Sequence, residues 1–83
     1  MKTNYRIHEL KIIPKFYYDV VSGKKNFEVR FNDRDFRVGD VIILRAFEFG
    51  HYLNCEPIPK IIKYVLYDFD FCGIKENYVV LGF

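Results

Sequence analysis

The alternation of apolar and polar positions starts at Tyr5. Up to Ile12, Tyr5, Ile7 and Glu9 fall on one side of an extended chain and Arg6, His8 and Leu10 on the other, in a run rich in β-forming residues. A first strand is predicted there. Pro14 suits the first turn of a helix, where its missing N–H costs nothing. Phe16, Val20 and Val21 recur at helical spacing before Ser22-Gly23. A short helix is therefore predicted over about residues 14 to 22, with Gly23 as its left-handed cap, Phe16 and Val20 toward the core, and Lys15 and Asp19 in water.

From Phe27 the period changes to two. Phe27, Val29 and Phe31 point one way and Glu28 and Arg30 the other, the pattern of a half-buried strand. Asn32-Asp33-Arg34-Asp35 is a polar turn and Val38-Gly39-Asp40 a second turn signal. Val41 to Phe49 follows as a strand, apolar on both faces at its start, which predicts a central position in a sheet. Gly50 to Pro57 is a loop. Because proline cannot donate to a ladder, Pro59 delays the next predicted strand to Ile61–Tyr67. Gly73 marks a break, and Tyr78 to Phe83 closes the chain as a strand. One early helix and about five strands, mostly antiparallel by their short connections, predict an α+β, mainly β domain built on a small curved sheet or barrel.

Composition narrows the class. The chain has 83 residues and 10.0 kDa, with no linker, repeat or low-complexity tract, so one domain spanning 1–83 is expected. A domain of this size buries only about 60% of its unfolded surface, and nine Phe and seven Tyr are expected to supply the efficient packing this demands. Thirteen basic against eleven acidic side chains leave a net charge of only +2, which argues against a bulk polycation. The balance is uneven along the chain. Residues 1 to 40 carry nine basic and six acidic groups and residues 41 to 83 four and five, so an anion-binding surface is expected mainly from the first half. Cys55 and Cys72 stand apart, forming neither a redox pair nor a zinc doublet, and read as free thiols. With no signal-peptide layout and no apolar run near the roughly 20 residues of a membrane span, a cytoplasmic protein without membrane contact is expected, a monomer or weak dimer.

Candidate chemistry concentrates in Gly23-Lys24-Lys25-Asn26-Phe27-Glu28-Val29-Arg30. Glu28 and Arg30 lie two apart on a strand, about 6.6 Å along one face, and Lys25 sits on the loop just before. Two cations flanking a carboxylate can hold a phosphate or an acidic group, Arg as a bidentate fork and Lys as a point charge. Glu28 is positioned to accept a hydrogen bond from a base or to act as a general base. If nothing binds there, the same residues are a solvated strand face with a surface ion pair contributing no more than about 1 kcal/mol.

This G-x-K-x-x-E-x-R pattern after a short helix resembles the signature of the ASCH domain, a branch of the PUA-like superfamily. The resemblance extends to His8-Glu9-Leu10-Lys11, Pro14, Asn32-Asp33-Arg34-Asp35-Phe36 with Val38-Gly39-Asp40, and Tyr78-Val79-Val80-Leu81-Gly82-Phe83, which together look like a small ASCH-like family of uncharacterised bacterial and phage proteins. It implies a β-barrel of five or six strands with one short helix after the first strand, beside a cleft lined by Lys25, Glu28 and Arg30. It also implies RNA or a nucleotide-like small molecule as partner. A related ASCH-like branch hydrolyses the acetyl amide of a modified cytidine with a Lys and a Thr of this motif. Here Glu28 stands at the Thr position, which removes that nucleophile.

Other residues add to the candidate set. His8 and Lys11 bring donors beside the motif if the first strand borders the cleft, and Arg34 or Arg37 can reach phosphate from the charged turn. His8 is equally a hydrogen-bonded structural residue, and the turn can pair within itself. Tyr67-Asp68-Phe69-Asp70-Phe71 lacks the later ligands of a calcium loop, so no metal is expected and its aromatics read as packing or as a stacking surface. No cofactor is expected. The leading functional expectation is a nucleic-acid or nucleotide-binding module, RNA first, using Lys25, Glu28, Arg30, His8, Lys11 and Arg34. The alternatives are a small hydrolase with Glu28 as general base and Lys25 stabilising developing charge, and a protein-interaction module that uses exposed aromatics.

Overall fold

A computed structural model describes residues 5–83; residues 1–4 of the expected domain lie outside the described part. The elements run β1 (Ile7–Ile12), α1 (Pro14–Val21), β2 (Phe27–Phe31), β3 (Val41–Glu48), β4 (His51–Tyr52), β5 (Ile58–Ile61), β6 (Tyr64–Tyr67), a single 3-10 turn (Asp68–Asp70) and β7 (Tyr78–Gly82). The structure is mainly β with one short helix. Pro14 opens α1 as its locked φ favours, and Gly23, at φ +80°, closes it.

β3 is central, as its start predicts. It pairs in parallel with β1 along Val41–Ala46, and its other side takes β4 and β5 antiparallel. A separate three-stranded sheet has the order β2-β7-β6, antiparallel throughout. Among the described residues the β1–β3 pairing is the one parallel ladder, and short connections did not foretell it because α1 and β2 intervene.

The sheets do not close into the barrel that was expected. The predicted strand Ile61–Tyr67 is broken at Ile62 and Lys63, where the chain leaves the first sheet for the second. Ile62 is buried at that corner, where its N–H donates to Asp40 O (2.8 Å) and Lys63 N–H donates to Gly82 O (2.7 Å). Between β1 and β2 no backbone ladder forms; a side chain, Arg30, spans the gap by donating from Nη2 to the carbonyl of Lys11. Pro59 lies within β5 rather than ahead of a strand, which is tolerated because β5 borders only β3 and alternate backbone positions face away from it.

The core is largely aliphatic, contrary to the expectation from composition. Leu10 and Ile12 of β1, Ile42, Leu44 and Ala46 of β3, and Val79 and Leu81 of β7 meet Val20 and Ile62, with Phe36 and Tyr17 as the fully buried aromatics. On α1 the buried pair is Tyr17 and Val20, not Phe16 and Val20. Both spacings are helical; Tyr17 goes inside because its hydroxyl finds the carbonyl of Glu56 at 2.7 Å. On β2 the two faces are inverted relative to a simple amphipathic strand. Glu28 is buried at 4% exposure while Phe27, Val29 and Phe31 face outward.

A buried carboxylate between two cations

The site begins at the end of α1. Gly23 turns the chain so that the carbonyl of Asp19 accepts from the backbone N–H groups of both Lys24 and Lys25, each at 3.0 Å. That cap fixes where Lys25 leaves the helix. Its Nζ donates to Phe27 O (2.6 Å) and to Oε1 of Glu28, three residues on. Arg30, on the same face of β2, donates from Nη2 (2.9 Å) and Nε (3.2 Å) to Oε2 of Glu28, and from Nη2 to Lys11 O.

The carboxylate is thus held at both oxygens. Its exposure is only 6% for the side chain, with 12% for Lys25 and 23% for Arg30, so this is a buried carboxylate between two partly buried cations and not the surface pair that spacing alone allowed. Desolvating three charges is costly, and the Coulombic gain offsets it only when geometry and hydrogen bonding are good. Here every oxygen of Glu28 has a donor. Glu28 neutralises one of the two cations, leaving a net positive charge at the site. Among the described residues, Nη1 of Arg30 takes no hydrogen-bond partner, and Lys25 Nζ uses two of its three N–H groups.

Above the triad lies a cleft of about 310 Å³ lined by Phe16, Lys25, Phe27, Glu28 and Val29. Lys25 Nζ sits 4.9 Å from the ring centre of Phe16 and 4.9 Å from that of Phe27, so the ammonium lies against two aromatic rings that line the cleft with it. Neither ring was singled out as a site residue from the sequence. Phe16 reads there as core and Phe27 as the buried side of its strand; only the inversion of β2 shows otherwise.

His8, Arg34 and the side chain of Lys11 are elsewhere. His8 Nε2 donates to Oδ2 of buried Asp40 at 2.9 Å, and its ring meets the edge of Phe36 at 4.8 Å. Asp40 also accepts from Arg6 N (3.3 Å), Arg6 Nη2 (2.9 Å) and Arg37 N (3.2 Å). Burial pushes the Asp40 carboxyl up, but the hydrogen bonds from His8, the Arg6 and Arg37 backbones and the Arg6 side chain outweigh it and hold the group below its ordinary value. Arg34 donates from Nη1 to Glu9 O (2.8 Å) and accepts at its carbonyl from Arg6 Nη1 (3.0 Å). These contacts knot the 32–40 turn to β1.

Lys11 touches the triad through its carbonyl alone. Its Nζ lies over Phe47, 4.3 Å from the ring centre, on the outer face of the first sheet. Arg37 pairs with Asp35 at 2.7 Å in the exposed turn. The aspartates of the 67–71 segment cap backbone groups, Asp70 taking Tyr67 N–H (3.0 Å) and Asp68 taking Asn77 N–H (2.7 Å). The candidate set therefore divides: Lys25, Glu28 and Arg30 converge in one ion triad, of which Lys25 and Glu28 line the cleft, and the side chains of His8, Lys11 and Arg34 lie elsewhere.

No helix among the described residues is long and apolar enough to cross a membrane. The chain is similar to an uncharacterized 12.9 kDa protein in the GpA 3' region of Escherichia phage P2, 40% identical over 76 residues. That match covers 92% of this chain and 66% of the phage protein, so the chain spans just under two thirds of its relative's length. Residues 7–83, from the start of β1 through β7 and with the whole triad, match the family described as Domain of unknown function (DUF3850), and the chain belongs to that family.

Proposed function

We propose that the family is an ASCH-like branch of the PUA-like domains and that this chain binds a nucleotide-like ligand, presented in single-stranded RNA, in the cleft above Glu28. The observation that carries this reading is the position of Lys25: an ammonium locked on a buried carboxylate, with a donor left over, between the rings of Phe16 and Phe27. Aromatic side chains lining a cleft suit a planar base, and base stacking on an aromatic side chain contributes roughly 1–3 kcal/mol. The spare N–H groups of Lys25 and Arg30 suit an acceptor, either a base carbonyl or a phosphate oxygen. A cleft of about 310 Å³ lies at the small end of ligand sites, the size of one nucleoside rather than of a folded RNA.

Hydrolysis asks more of Glu28, which would have to take a proton from water while both its oxygens hold N–H donors. Binding uses the triad as it stands. Fluorescence anisotropy with a labelled short single-stranded RNA tests the reading. Lys25→Ala and Arg30→Ala should both weaken binding while circular dichroism stays native, and unchanged affinity in both variants overturns it.

A further inference from the structure

The cleft above Glu28 does not end at Val29. That side chain, 54% exposed, also lines a second hollow of about 540 Å³, together with Val80, Tyr78, Gly73, Ile74 and Lys75. The two hollows adjoin because β2 turns its apolar side chains outward. Phe27 and Val29 follow one another along that face, about 6.6 Å apart, and Val80 of β7 is the register partner of Val29. The rest of the lining is the 71–78 segment that leads into β7. Two backbone bonds fold it, Ile74 N–H to Phe71 O (3.1 Å) and Tyr78 N–H to Lys75 O (3.0 Å). Two more fasten its end: Asn77 N–H donates to Asp68 Oδ2 (2.7 Å), and Asn32 N–H to Asn77 O (2.8 Å). The segment therefore has a fixed place beside the sheet, and it brings Lys75 to the hollow.

Lys75 is the one charged residue of this lining, with its Nζ 5.4 Å from the ring centre of Tyr78, and it makes no ion pair among the described residues. An aromatic ring, aliphatic side chains and an ammonium thus recur next to the first cleft, this time without a carboxylate. One lysine in each of two adjoining apolar hollows suits a ligand in which planar bases alternate with phosphates. Resting on the reading that the first cleft holds a nucleotide, we infer that the second hollow holds the next nucleotide of the same RNA strand, so that recognition spans consecutive nucleotides. Its base packs on Tyr78, Val80 and Ile74, across Val29 from the first, and Lys75 Nζ donates to a phosphate oxygen. A hollow of about 540 Å³ is within the size range of small-molecule sites and has room for a whole nucleoside.

Titration of ¹⁵N-labelled protein with a nucleoside 5'-monophosphate and with the 5'-phosphorylated dinucleotide of the same base, for each RNA base, tests this. The monophosphate should shift the amides of Phe16, Lys25 and Phe27. The dinucleotide should shift Gly73, Ile74 and Lys75 as well and bind at least about fivefold tighter, more than the roughly twofold that its two equivalent registers supply. Lys75→Glu, at an exposed position, should lower dinucleotide affinity at least about fivefold and leave monophosphate affinity unchanged. Lys11→Glu, the same charge change on the outer face of the first sheet, should leave both unchanged. A dinucleotide that binds no tighter than the monophosphate overturns the extension while the cleft reading stands, and so does a dinucleotide affinity indifferent to Lys75→Glu or lowered equally by Lys11→Glu. If neither probe binds for any base, the cleft reading falls and this inference with it.

Discussion

Arg30 turns two of its nitrogens, Nε and Nη2, onto a single oxygen of Glu28, at 3.2 and 2.9 Å, and leaves Nη1 without a partner among the described residues. A fork committed wholly to its own carboxylate would spread over both oxygens. Here Lys25 occupies the other one, and the outcome is a buried triad with donor capacity to spare beside a cleft.

The triad's role in folding differs from its role in binding. Removing Glu28 alone, as Glu28→Ala, strands two partly buried cations and should destabilise the protein by about 3–5 kcal/mol. Replacing all three residues, as Lys25→Met with Glu28→Leu and Arg30→Met, should cost far less or stabilise, because no desolvated charge remains. Urea unfolding of the two proteins checks this. A triple variant as unstable as Glu28→Ala would mean that the ion pairs are themselves a main support of the fold.

Phe16→Ala removes one wall of the cleft without emptying the core, since Tyr17 and Val20 are the buried residues of α1. RNA affinity should fall roughly 5- to 150-fold, the equivalent of about 1–3 kcal/mol. With at most three cations on the ligand, Lys25, Arg30 and Lys75, the slope of log affinity against log salt should be no steeper than about −2.1. Anisotropy titrations at several salt concentrations measure both. A steep slope would place the binding on the general basic surface instead.

Acid should attack the Asp40 knot first. Its folded-state carboxyl sits below the ordinary value, so it contributes stability that is fully present above the unfolded value of about 3.9 and is lost as pH falls through the lower folded value. Wild-type stability should therefore fall steeply below about pH 4. Asp40→Ala should already be destabilised by about 3–5 kcal/mol at pH 7 and should lose less on acidification. Thermal melts from pH 7 to pH 2.5 test this; parallel curves for the two proteins would contradict the assignment.

The β3–β4 hairpin holds a correctable strain. Phe49 and Gly50 occupy the two turn positions with φ +51° and +82°, and Phe49 is 89% exposed. Two successive positive φ values favour Asn-Gly at such a turn, and a bulky residue is disfavoured at the first position. Phe49→Asn should stabilise the protein by about 0.5–1 kcal/mol, read as a rise of several degrees in Tm. A lower Tm would show that the ring contributes contacts in the folded state.

Much of the fold is legible in local pattern. Pro14 and Gly23 bracket α1, and the two-sided apolar start of Val41–Glu48 marks the central strand. What periodicity does not contain is which side of a strand is inside. On β2 the alternation is plain, yet the charged side goes in because Lys25, Glu28 and Arg30 satisfy one another, and the apolar side goes out. The Asp40–His8 contact depends on the parallel register of β1 and β3, which joins residues 32 apart in sequence. The break at Ile62 lies inside a continuous run of strand-forming residues and is decided by the change of sheet. Aromatic content likewise does not reveal location: Phe27, Phe31 and Tyr64 are outside the core that composition assigned to them.

The central claim is that the cleft above Glu28 receives a nucleotide-like ligand. Amide chemical-shift mapping of ¹⁵N-labelled protein titrated with short single-stranded RNA tests it most directly. Saturable shifts concentrated at Phe16, Lys25, Phe27, Glu28 and Val29, and beyond them only along the adjoining 73–80 segment, are the result this account predicts. Shifts spread over other surfaces, or none at all, would contradict it.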